Sequence, residues 1–126
     1  MYLRVVILVQ TLAVFSAPVT AGLLLTSPAG RPLHSASAYT VFAVAVLHLV
    51  TAILLWRPGG GSPRPILYAA GFLALTLAQV ALGIAHMKAL HIPLGVLLFG
   101  MSLLHLVRLP SSRTLTSHAD PVTTRG

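Results

Sequence analysis

Four apolar runs, at about residues 3–25, 36–56, 66–87 and 91–109, take up nearly all of a 126-residue chain. Each is close to the ~20 residues that carry a helix across a hydrocarbon core. Hydrocarbon offers no partner for backbone N–H and C=O groups, so a segment that enters it must be a helix or part of a closed barrel. Runs of this length without polar–apolar alternation select the helix. Only 7 % of the residues are charged, against about 25 % in a soluble domain. The expected fold is therefore all-α: an integral membrane four-helix bundle over residues 1–109, up-down-up-down.

The connections follow from turn chemistry. TSPAGRP (26–32) joins the first two helices, RPGGGSPRP (57–65) the second and third, and a very short turn around Met87 to Leu90 the last two. Residues 110–126, PSSRTLTSHADPVTTRG, show no apolar period and are expected to be a disordered cytoplasmic tail. Pro18 is expected to kink helix 1. Arg4, an apolar stretch and SAPVTA also fit a signal peptide cleaved after Ala21, but GLLL (22–25) continues the run and favours a retained span.

The net charge of +7 reports topology. Arg4, Arg57, Arg64, Arg108, Arg113 and Arg125 fall on one side of the expected bundle, and only Arg31 and Lys88 on the other. The positive-inside rule then puts both termini in the cytoplasm of a multi-pass cell-membrane protein. No basic patch or aromatic platform marks a nucleic-acid partner. The absence of cysteine removes disulfides, thiolate metal sites and cysteine catalysis. Asp120, the one acid, lies in the tail, so carboxylate-driven transport has no residue in the membrane to run on. No catalytic residue is identified.

The chain repeats itself. Residues 31–50, RPLHSASAYTVFAVAVLHLV, align without a gap on residues 88–107, KALHIPLGVLLFGMSLLHLV. Arg31 meets Lys88, His34 meets His91, and LHLV (47–50) meets LHLV (104–107). Fourteen residues return a helix to within about 40° of its starting direction, so His34 and His48 share a face, as do His91 and His105. Ala38, Ala45 and Ala52 stand beside the first pair and Gly95 and Ser102 beside the second, a slot for a flat ligand. Helices 2 and 4 run parallel, which levels His34 with His91 near the outer surface. His48 and His105 then lie about 21 Å further in, at 1.5 Å per residue.

Two opposed histidines, twice, suit bis-imidazole ligation of haem iron. Arg31 and Lys88, each three residues before an outer histidine, are expected to meet the propionates of an outer haem, and Arg108 and Arg57 those of an inner one. The spacing, thirteen residues between histidines on each of two parallel helices, resembles the di-haem core of the cytochrome b subunit of quinol-oxidising complexes. AQVALGIAHMKALH (78–91) is similar to one half of haem A synthase, and the layout resembles small four-helix membrane proteins of actinobacteria. By the haem A synthase likeness His34 and His91 are haem ligands; by the cytochrome b likeness His48 and His105 are too. The sequence has no acidic membrane residue and no quinol-site motif to match, so neither haem A synthesis nor quinol oxidation by this chain alone is expected.

The implied cofactor is haem b, the implied role electron transfer or haem handling, and the implied partners are the lipid bilayer and a larger respiratory or haem-handling complex. The alternative is a cofactor-free structural or assembly subunit, in which His34, His86 and His91 are interfacial polar residues and His48 and His105 bond each other or a carbonyl. Convergence of the histidines in pairs separates the two. Gln79 is expected to bond between helices, and Tyr2, Tyr39, Trp56 and Tyr68 to sit in interfacial belts. Stripes of small residues, Ala13, Ala17 and Ala21 on helix 1 and Gly71, Ala74, Ala78, Ala81 and Ala85 on helix 3, are expected to bring backbones together.

Overall fold

The computed structural model describes residues 1–109. The expected tail at 110–126, with His118 and Asp120, lies outside the described residues. Among those described there are four helices and no strand: α1 (Tyr2–Leu23), α2 (Gly30–Trp56), α3 (Arg64–Ile84) and α4 (Lys88–Arg108). All four are long and apolar enough to cross a membrane.

Helix pairs α1–α2, α2–α3, α3–α4 and α4–α1 pack side by side, whereas neither diagonal brings described Cα atoms within 8 Å. With short connections, this is an up-down-up-down square in which α2 and α4 run parallel across a diagonal. Its centre is apolar: Val14, Val41, Ala45, Phe72 and Leu98 are buried together. Val41 is the seventh residue from both His34 and His48, and Leu98 the seventh from both His91 and His105. A seven-residue step keeps one side of a helix facing its partner. The bundle thus holds an apolar middle layer between two histidine layers.

None of the four helices has a side-chain N-cap. The ends rely on other devices. Pro65 lies in the first turn of α3, where its missing N–H would have no partner anyway. The end of α3 is a Schellman turn: Met87 N donates to Leu82 O at 2.9 Å and His86 N to Gly83 O at 3.1 Å. His86 occupies the left-handed position, at φ 57°, where glycine is usual.

Several boundaries differ from the sequence reading. α2 begins at Gly30, not near 36, because Gly30 lets its first turn abut α1; a Cβ there would lie 2.4 Å from Leu23 and Leu24 backbone. The Schellman turn stops α3 at Ile84, short of 87. α4 begins at Lys88, so His91 stands inside the first turn and does not open the helix. Pro93 then falls beyond the first four residues, and the Ala89 carbonyl loses its N–H partner four residues on.

Of the small-residue stripes, that of α1 turns inward, with Ala13 buried and Ala17 and Ala21 half-buried. The stripe of α3 does the opposite. Gly71, Ala74, Ala78, Ala81 and Ala85 are all exposed, because α3 turns Phe72, Thr76 and Gln79 to the interior instead.

Candidate functional site: two histidine pairs across the bundle diagonal

The structure brings the four histidines together in twos. His34 of α2 faces His91 of α4 with ring centres 6.2 Å apart and planes at 74°. Deeper in the bundle, His48 faces His105 at 5.8 Å and 86°. No group of three or more His, Cys, Asp or Glu side chains forms among the described residues, so any metal here would draw protein ligands from a pair.

At the outer layer each imidazole is tied to a neighbouring helix through Nδ1. His34 Nδ1 lies 3.2 Å from Ala17 O and 3.2 Å from Thr20 Oγ1, both on α1. His91 Nδ1 lies 2.9 Å from Gln79 O on α3. A backbone carbonyl only accepts, so both Nδ1 atoms carry the proton and both Nε2 atoms keep a lone pair. Thr20 donates its own proton at 3.0 Å to helix carbonyls, Ser16 O or Ala17 O, which leaves its oxygen to accept. Gly83 permits the His91 bond: a Cβ there would stand 3.1 Å from the ring.

The inner layer is drier. His48 is fully buried, and its Nδ1 sits 2.8 Å from Gln10 Oε1 of α1. His48 Nε2 is buried without a hydrogen-bond partner among the described residues. An unpaired buried polar nitrogen is costly, and native interiors leave few of them. Tyr68 of α3 closes this layer. Its ring centre is 3.7 Å from that of His105, and its hydroxyl donates to Met101 O at 2.6 Å.

Some expected placements change. Tyr68 leans inward on His105, since one α3 face carries both Tyr68 and buried Phe72. Tyr2 and Tyr39 are exposed, and Trp56 stacks under Arg57 at 4.8 Å. The small residues do not line an open slot. Gln79 Nε2 fills the space beside Gly95, 2.9 Å from where a Cβ would be, and Ser102 is engaged by Gln10 and Thr11. Arg31 and Lys88 are exposed at the His34–His91 end of the bundle, one turn ahead of those histidines. Gln79 does bridge helices, its backbone oxygen holding His91, while its Oε1 is buried without a partner.

Gln10 and Thr20 escaped the sequence reading. The signal was there: polar side chains in an otherwise apolar run, Gln10 ten residues before Thr20, near the depths of the inner and outer histidines when α1 runs antiparallel to α2. No family model, curated protein or solved structure matches the chain.

Proposed function

We propose that the chain is a small polytopic protein of the cell membrane, with both termini on the cytoplasmic side, that holds one or two b-type haems between α2 and α4 for electron transfer or haem handling. The spacing of the histidine pairs carries this reading. Two imidazoles bound through Nε2 to one metal atom have nitrogens about 4 Å apart, and roughly 1.1 Å from each nitrogen to its ring centre puts the centres about 6 Å apart. The two pairs stand at 6.2 and 5.8 Å.

The donors also fit. A metal-bound histidine nearly always gives its other ring N–H to a carbonyl or similar acceptor. His34, His48 and His91 each have such an acceptor at Nδ1. The lone pair of the orphaned His48 Nε2 would then gain the partner it lacks. Haem iron held by two imidazoles supplies one-electron chemistry and keeps no open position for oxygen, so no enzymatic turnover is assigned. Arg31 and Lys88 offer cations to propionates at the outer end, and Arg57 and Arg108 at the inner end. A flat ligand at the outer pair requires Gln79 to turn away from Gly95 and to give up the 3.4 Å hydrogen bond from its Nε2 to His91 Nε2, the nitrogen that would bind iron.

Membrane insertion is supported by the outside of the bundle. Leu12, Phe15, Phe42, Leu54, Leu77, Val96 and Leu104 are among many large apolar side chains left exposed. On a soluble protein such contiguous apolar surface would aggregate; in lipid it is the expected exterior. A larger respiratory or haem-handling complex would give and take the electrons, in line with the likeness of the sequence to cytochrome b and to half of haem A synthase.

A cofactor-free assembly subunit is the second reading, favoured by the Nδ1 bonds that tie α2 to α1 and α4 to α3. The two part on a spectrum. Protein purified in mild detergent from haem-supplemented cells is expected to show a sharp reduced α-band at the b-type position, with one or two haems per chain by pyridine haemochrome. Protein that stays colourless after haem addition overturns the cytochrome reading.

A further inference from the structure

A line of hydrogen bonds crosses the buried interior from α1 to α2 by way of α4. Thr11 Oγ1 donates to Ile7 O at 2.8 Å. Ser102 Oγ is 2.8 Å from Thr11 Oγ1, and Gln10 Nε2 is 3.3 Å from Ser102 Oγ. Gln10 Oε1 is 2.8 Å from His48 Nδ1. Gln10, Ser102 and His48 are fully buried, and Thr11 nearly so.

The direction of this line is fixed at its far end. Ile7 O can only accept, so Thr11 spends its proton there. Ser102 must then donate to Thr11, and its oxygen is left to accept from the Gln10 amide nitrogen. Turning the carboxamide over would ask Ser102 to donate to Gln10 instead, leaving two hydroxyl oxygens 2.8 Å apart with no proton between them. The Gln10 oxygen therefore faces His48, and His48 carries its proton on Nδ1. The nitrogen left with a lone pair is Nε2, the same atom that has no partner.

We propose that Gln10 is a positioning residue for the inner pair: it holds the His48 proton on Nδ1 and keeps the Nε2 lone pair free inside the bundle for a metal. This rests on the haem reading only for what the lone pair binds; the tautomer is a property of the chain itself. The outer pair draws on backbone carbonyls for the same purpose, so the two layers differ in a side chain that a mutation can remove. An acceptor on Nδ1–H makes the imidazole a stronger donor through Nε2, which favours ferric iron and lowers the potential.

Two variants separate positioning from packing. Gln10→Met is near in volume and has no oxygen to accept; Thr11→Ser removes a buried methyl and keeps the hydroxyl that fixes the direction of the line. In protein without haem, labelled with nitrogen-15 at histidine, His48 is expected as the Nδ1–H tautomer in the parent and in Thr11→Ser, and as Nε2–H or a mixture in Gln10→Met. In haem-loaded protein, Gln10→Met is expected to raise the midpoint potential of the inner haem, with the outer haem unmoved in both variants and the inner one unmoved in Thr11→Ser. An Nε2–H tautomer in the parent, or equal effects of the two variants, overturns the proposal. A chain that takes up no haem yet shows the Gln10-dependent Nδ1–H tautomer sinks the haem reading and leaves this one standing.

Discussion

His48 concentrates what a single residue contributes here. A neutral imidazole has one donor and one acceptor, and burial in an apolar layer demands that both be used. Gln10 takes the donor; among the described residues nothing takes the acceptor. His34 and His91 likewise donate from Nδ1 to carbonyls of α1 and α3, but His91 Nε2 accepts from Gln79 Nε2 at 3.4 Å. The periodicity of the sequence was enough to place the four histidines on facing stripes, since spacing by fourteen is a property of one helix at a time. It could not reveal Gln10, Thr20 or the Gln79 carbonyl as their partners, because those depend on how α1 and α3 rotate against the stripe. The contact of Tyr68 with His105 was hidden for the same reason, since only the orientation of α3 turns the ring on to it. If the members of a pair share one iron, His34→Ala and His91→Ala should each remove the outer haem entirely, and the double variant should remove no more. The same pattern should hold for His48→Ala and His105→Ala, measured as haem per chain by pyridine haemochrome. Losses that add across a pair would show that its histidines act separately.

At the level of the helix, existence was plain and ends were not. Twenty apolar residues in lipid have no alternative to a helix, so the four segments were certain to be found. Their limits depend on single backbone positions that hydropathy does not register. Gly30 allows α2 to start beside the end of α1, and the left-handed His86 stops α3 and fixes the start of α4. That stop also decides where His91 falls relative to Pro93. A side chain in the left-handed region carries a penalty of roughly 1 kcal/mol that glycine escapes. His86→Gly should therefore stabilise the bundle by about 1 kcal/mol in reversible detergent unfolding, with haem content unchanged, because His86 is exposed and belongs to neither pair. Destabilisation, or loss of haem, would mean that this imidazole has a role beyond the turn.

For the molecule as a whole, the parallel run of α2 and α4 across the diagonal does the organising. It sets equal residues of the repeat at equal depth, His34 opposite His91 and His48 opposite His105, with Val41, Phe72 and Leu98 between the layers. That arrangement was legible from the repeat and the short connections. The closeness of packing was not: Gln79 of α3 and Gln10 of α1 occupy the spaces beside Gly95 and Ser102 of α4. The proposed two-layer cytochrome makes one demand that no structural subunit would meet. Its rings are near perpendicular, at 74° and 86°, and perpendicular imidazole planes on ferric haem leave the two upper π-type d orbitals nearly equal in energy. Electron paramagnetic resonance of the oxidised, haem-loaded protein at low temperature should accordingly give a strongly anisotropic low-spin signal of the large-gmax kind. A high-spin signal, or a low-spin signal with the modest anisotropy of parallel rings, would contradict haem iron held between these opposed histidines.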